Sequence, residues 1–127
     1  MEMISNEEKI TQAVLVSVDT GDYDAEASLA ELKELVKSAG AEPVFTVTQN
    51  LKRPETGTYV GTGKLQEIAD ICKQQEIDLL VFDCELSPTQ IRNIEAETDT
   101  RTIDRTMLIL DIFALRARSK EGKLQVE

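Results

Sequence analysis

Between Gly57 and Leu65 the chain reads Gly-Thr-Tyr-Val-Gly-Thr-Gly-Lys-Leu, a glycine-rich stretch ending in lysine, the residue types that cradle phosphate. A phosphate-binding P-loop needs glycine, four residues, then Gly-Lys and a hydroxyl residue for magnesium. Here five residues separate Gly57 from Gly63, and Leu65 stands in the hydroxyl position. Two readings remain at Gly61-Thr62-Gly63-Lys64. In one, Gly61 and Gly63 allow a tight, φ-permissive helix entry that leaves Lys64 in solvent. Alternatively, helix-terminal amides and Lys64 together hold an anion or an RNA phosphate, a nucleotide's included.

Carboxylates form a second constellation. Asp19, Asp22 and Asp24 follow one apolar run, and Asp83 and Glu85 follow another. If both runs are strands of one sheet, these groups gather at its carboxyl edge, where ligands of open α/β sheets bind. Asp19 and Asp83 are then the pair for a receiver-like magnesium or phosphoryl site, against the commoner roles of aspartate in turns and caps.

Basic residues are sparse and concentrated. Residues 1–100 carry 8 basic against 20 acidic side chains, a balance of −12, whereas 101–127 carry 6 against 4, a balance of +2. The acidic body repels nucleic acid, and only the C-terminal end approaches phosphate. Arg116, Arg118, Lys120 and Lys123 form the one basic stripe, either a phosphate-contacting surface or an ordinary solvated helix end. Lys52 and Arg53 open a Gly/Thr-rich loop that reads as a binding element or a solvated connector. Asp111, alone in an apolar run, needs a partner if buried, with Arg105 and Arg116 in range.

Composition narrows the chemistry. Histidine and tryptophan are absent, which excludes Ser-His-Asp, Cys-His and His-zinc sites within these 127 residues. Cys72 and Cys84 fall in a helical and a strand pattern, where unpaired cysteines act as small buried hydrophobes, consistent with a reducing cytoplasm. Met1 to Lys9 has neither a basic nor an apolar region of a signal peptide. No apolar run is long enough for a membrane span. With 41% hydrophobic residues the chain can bury a core without staples.

The elements that position these residues follow from periodicity. Ala13 to Asp19 is a β-branched apolar run closed by Thr20-Gly21-Asp22, a buried strand and its turn. Ala25 to Ala39 switches to helical spacing through Leu29, Leu32, Leu35 and Val36, with Gly40 placed to end it. The unit repeats as strand 43–48, helix 63–75 and strand 78–83. Ser87-Pro88-Thr89-Gln90 predicts a capped helix start, with Ser87 as N-cap and Gln90 completing a capping box. A short strand, Arg101 to Asp104, and a final helix from Arg105 follow. The expected class is α/β: an open, mainly parallel four-stranded sheet flanked by helices, in strand order 2-1-3-4. Met107 to Leu115 is apolar nearly all round, predicting that the first half of this helix is buried on several sides. The pattern resumes at Leu124 and Val126 with no stop signal, which reads as a cut inside a longer helix. The expected division is 1–104 as an α/β subdomain and 105–127 as the start of a helical segment.

Three blocks carry a family resemblance. The run from Asp104 through Met107-Leu108-Ile109-Leu110-Asp111-Ile112-Phe113 to Glu127 closely resembles the junction in HflX-type GTPases between the N-terminal α/β subdomain and a helical hairpin. Tyr59 to Ile68 and Leu86 to Glu95 resemble two further motifs of that domain, in the family's order. The resemblance implies a cytoplasmic, ribosome-associated GTPase that binds the large ribosomal subunit, its rRNA and proteins, and splits or rescues ribosomes. It places the GTP and magnesium ligands in a downstream GTPase domain, with which this part would communicate. This part is then expected to be non-catalytic and without a cofactor. Its expected ribosome contacts are Arg116, Arg118, Lys120 and Lys123, with Lys52, Arg53 and Lys64 second.

Overall fold

The computed structural model describes residues 10–114. Four strands, β1 (Thr11–Asp19), β2 (Ala41–Asn50), β3 (Leu79–Phe82) and β4 (Arg101–Asp104), form one all-parallel sheet in the order β2-β1-β3-β4. The α/β class and the 2-1-3-4 order expected from the alternating pattern are both found. Three helices make the crossovers: α1 (Ala25–Ser38), α2 (Thr62–Gln74) and α3 (Pro88–Thr98). A fourth, α4, begins at Arg105 and is described as far as residue 114.

Side-chain alternation on the central strands divides the interior into two layers. Val14, Val16, Val18, Leu80 and Phe82 face α2 and α3 and pack with Leu65, Ile68 and Ile94. Ala13, Leu15, Leu79 and Val81 face the other way, onto Leu32 and Val36 of α1 and Leu108 and Ile112 of α4. Burial on both faces explains why β1 and β3 read as unbroken apolar runs.

Local chemistry sets the helix boundaries. Asp24 caps α1 by accepting from the Ala27 amide at 3.0 Å, and Gly40 follows its end at φ +91°, a conformation costly for any residue with a Cβ. The expected capping box at α3 is present, with the Gln90 amide donating to Ser87 Oγ at 3.1 Å and the Ser87 amide to Gln90 Oε1 at 2.9 Å.

The last helix departs from expectation. Leu108 and Ile112 are buried, but Leu110 and Phe113 are 61% and 62% exposed, so α4 buries one stripe and leaves the opposite one open. Asp111 is likewise exposed and needs no buried partner. Arg105, six residues and about 240° of helical rotation away, pairs elsewhere.

Candidate functional site at the carboxyl edge of the sheet

The strand ends bring Asp19 and Asp83 to one edge, as the sequence predicts, and with them Asp104, which was not among the expected carboxylates, but into different environments. Asp104 is buried and accepts from the amides of Leu86 and Met107, both at 2.9 Å, so it ties the loop after β3 to the first turn of α4. Asp19 closes its own turn by accepting from the Gly21 amide at 2.9 Å. The Asp83 side chain is 1% exposed, and its Oδ1 accepts from Arg105 Nη1 at 2.6 Å. Its second oxygen, Oδ2, has no hydrogen-bond partner.

Arg105 is the hub of this edge. Besides Asp83 it reaches Ser28 Oγ at 3.2 Å and pairs with Glu31, both on α1, so one guanidinium joins β3, α1 and the start of α4. Burial works against its charge, yet the hydrogen bond and charge of Asp83, reinforced by Glu31, hold its pKa above the ordinary value. Among the described residues no group of three or more carboxylate or cysteine side chains is placed to hold a metal ion.

Two tyrosines and a cysteine complete the edge. Tyr23 donates from its hydroxyl to the Val18 carbonyl at 2.9 Å, beside Ser17. Tyr59 stands edge-on to Phe82, ring centroids 6.2 Å apart, at a backbone φ of +67° that is uncommon for a residue with a side chain. Burial pushes the Cys84 thiol up to about 12, with Tyr59 beside it, so Cys84 is a poor nucleophile at neutral pH.

Gly61 caps α2 at φ −65°, and only Gly21 and Gly40 among the described glycines have positive φ, so the expected φ-permissive helix entry is not used. What Gly61 supplies is room: its amide donates to Gln49 Oε1 at 2.9 Å, and an added Cβ would meet Gln49 Nε2 at 3.2 Å. Thr62 and Gly63 are exposed. Lys64 is half-buried and bridged to Glu67 at 3.2 Å. Lys52 and Arg53 are both exposed, at the start of a loop that α3 holds down. Gln90 Nε2 donates to the Thr56 carbonyl at 3.2 Å and Asn93 Nδ2 to the Gly57 carbonyl at 3.0 Å. Arg116, Arg118, Lys120 and Lys123 lie outside the described residues.

Sequence reasoning missed the Arg105–Asp83 pair and the roles of Ser17 and Tyr23. The available signal was register: Ser17, inside β1, and Asp83, just past β3, are the polar residues that follow the paired run Val16↔Phe82, so they come side by side.

Residues 26–114 match the family model described as GTP-binding GTPase N-terminal. The chain is 52% identical over 127 residues to GTPase HflX of Lacrimispora saccharolytica, covering 99% of this chain and 30% of that protein. It is 50% identical over 117 residues to GTPase HflX of Escherichia coli, covering 91% and 27%. The chain thus spans less than a third of the length of these curated relatives. Among solved structures, the SsGBP and GDP complex aligns with a TM-score of 0.65 at 30% identity, covering 92% of this chain and 33% of that one. A GTP-binding protein from Sulfolobus solfataricus in complex with GDP aligns with a TM-score of 0.60 at 27% identity, covering 84% and 31%.

Proposed function

The chain belongs to the GTP-binding GTPase N-terminal family, as the N-terminal domain of an HflX-type GTPase, and from that premise we propose that it is a ribosome-docking and regulatory module. It contacts the large ribosomal subunit and relays that contact to a GTPase domain of the parent protein, which promotes ribosome splitting or rescue in the cytoplasm. GTP and magnesium act in that other domain, and this part carries out no bond-making step.

The observation that carries the reading is the continuity of the family match from α1 through β4 and into α4. The edge chemistry agrees with a non-catalytic role. One oxygen of Asp83 is committed to Arg105 and both oxygens of Asp104 to backbone amides, and Cys84 is held protonated. The proposed contacts are Arg116, Arg118, Lys120 and Lys123, then Lys52, Arg53 and Lys64.

Co-sedimentation of the chain with purified large and small subunits across a salt series tests the reading. Salt-sensitive binding to large subunits alone is the expected result. If neither this chain nor the intact parent sediments with large subunits, the docking role is refuted.

A further inference from the structure

The two edges of the sheet are finished differently. On β4 the Glu95 carboxylate reaches across from α3 and accepts the Thr102 amide at 2.9 Å, closing an edge only four residues long. β2 is ten residues long and has no strand beyond it among the described residues.

Its first half carries features that discourage pairing: Glu42, Pro43 and a register shift opposite Ala13 and Val14. From Thr46 to Asn50 the pairing is regular. The Leu51 amide donates to the Asp19 carbonyl at 3.2 Å, so the alternation of a parallel ladder turns Gln49 and Val47 inward and leaves the amides and carbonyls of Thr46, Thr48 and Asn50 facing outward. Phe45, 40% exposed, adds apolar surface next to them.

A cavity of about 290 Å³ adjoins this stretch, lined by Ser17, Asp19, Ala25, Glu26, Leu29 and Thr48. Ser17 is 1% exposed, and its Oγ makes no hydrogen bond of good geometry although Tyr23 lies beside it. The carboxylate residues Asp19 and Glu26 and the unpaired Ser17 hydroxyl line one cavity with Ala25 and Leu29 as apolar wall, a lining that matches an ammonium or guanidinium on a methylene stem.

We propose that the open stretch of β2 receives an extended, lysine- or arginine-bearing segment of a partner protein as a fifth strand, one basic side chain entering the Ser17–Asp19–Glu26–Thr48 cavity. Main-chain pairing supplies affinity and the cavity supplies selectivity. Charge favours this occupant over a second copy: residues 10–114 carry 9 basic against 19 acidic side chains, so two copies repel while a basic segment is attracted.

The test titrates a ten-residue peptide of alternating lysine and threonine, or its glutamate counterpart, into the isotope-labelled chain and follows each amide by NMR and hydrogen exchange. The lysine peptide is expected to shift and protect Thr46, Thr48 and Asn50, and the glutamate peptide to do neither. Thr48→Pro removes an outward amide without touching the β1 ladder and should weaken binding roughly tenfold, the equivalent of one or two main-chain hydrogen bonds. The Asp19→Asn/Glu26→Gln double variant, which leaves the edge intact, should weaken it by a similar factor. Shifts spread over the acidic surface and insensitive to both variants would overturn the proposal. So would concentration-dependent protection of the same amides without peptide, which assigns the edge to a second copy. Protection already present in the intact parent, or none at millimolar peptide, would overturn it too.

Discussion

Arg105, the first residue of α4, donates to the buried Asp83 carboxylate at the end of β3 at 2.6 Å, and the same guanidinium reaches Ser28 and Glu31 on α1. The helix leaving the sheet is thereby fixed to two other elements at its root. Arg105→Ala would leave Asp83 buried without its counter-charge. Breaking a fully buried pair costs roughly 3–5 kcal/mol. Because the Arg105 side chain is 23% exposed, we expect a loss of about 2–3 kcal/mol in urea unfolding. The Asp83→Asn/Arg105→Met double variant removes both charges and should recover much of that loss. A single variant as stable as the parent would show that the pair does not anchor α4.

The loop between β2 and α2 is held from α3. Asn93→Ala frees the Gly57 carbonyl and should speed hydrogen exchange at the Glu55 and Tyr59 amides, which pair with each other's carbonyls at 3.0 Å. The α3 amides should be unaffected, because Asn93 takes no part in the capping box. Ser87→Ala should do the reverse, costing the helix about 1 kcal/mol by loss of its cap while the Asn93 tether stays in place. Equal effects of the two variants on loop and helix would refute the separation.

Much of this arrangement was legible in the sequence, and the failures have a common cause. The strands and the Ser87–Gln90 box follow from periodicity and from pairs three or four residues apart, all local properties, while the 2-1-3-4 order is one of the few that right-handed crossovers leave open. Proximity in sequence offers Arg105, alongside Arg116, as a partner for Asp111, whereas Arg105 pairs with Asp83, 22 residues away and brought near by the parallel β3–β4 register. The apolar run in α4 predicted burial on several sides, but one helix on one sheet buries one stripe, and Leu110 and Phe113 face away. Tyr59 takes a positive φ that residue type argues against; packing on Phe82 and the pairing with Glu55 hold it there.

Alkaline stability should report the buried thiol. Burial, with the neighbouring carboxylates of Asp104 and Asp83, raises Cys84 from 9.0 to about 12, while Tyr59 is also raised by burial. The unfolded chain releases the thiol proton near the ordinary value, and the folded chain retains it until about 12. The folded state therefore binds more protons in that window, and stability falls as pH rises from 9.0 to about 12. Cys84→Ser removes this contribution and should flatten the slope of unfolding free energy against pH. Fast alkylation of Cys84 at neutral pH in the folded chain would contradict the protonated, sheltered thiol.

The basic residues give the sharpest test of ribosome docking, through its salt dependence and not its affinity alone. Each phosphate contact releases counterions, so the slope of log affinity against log salt counts contacts at roughly 0.7–0.9 each. Replacing Arg116, Arg118, Lys120 and Lys123 together in the intact protein should weaken large-subunit binding and reduce that slope by about 3 if all four touch phosphate. Lys52→Ala with Arg53→Ala should reduce it by up to about 1.5, because both side chains are exposed. Lys64→Ala should reduce it least, since Glu67 at 3.2 Å already offsets its charge. A four-residue variant with unchanged affinity and slope removes these residues from the interface. A variant with weakened affinity but an unchanged slope places them against protein instead of RNA.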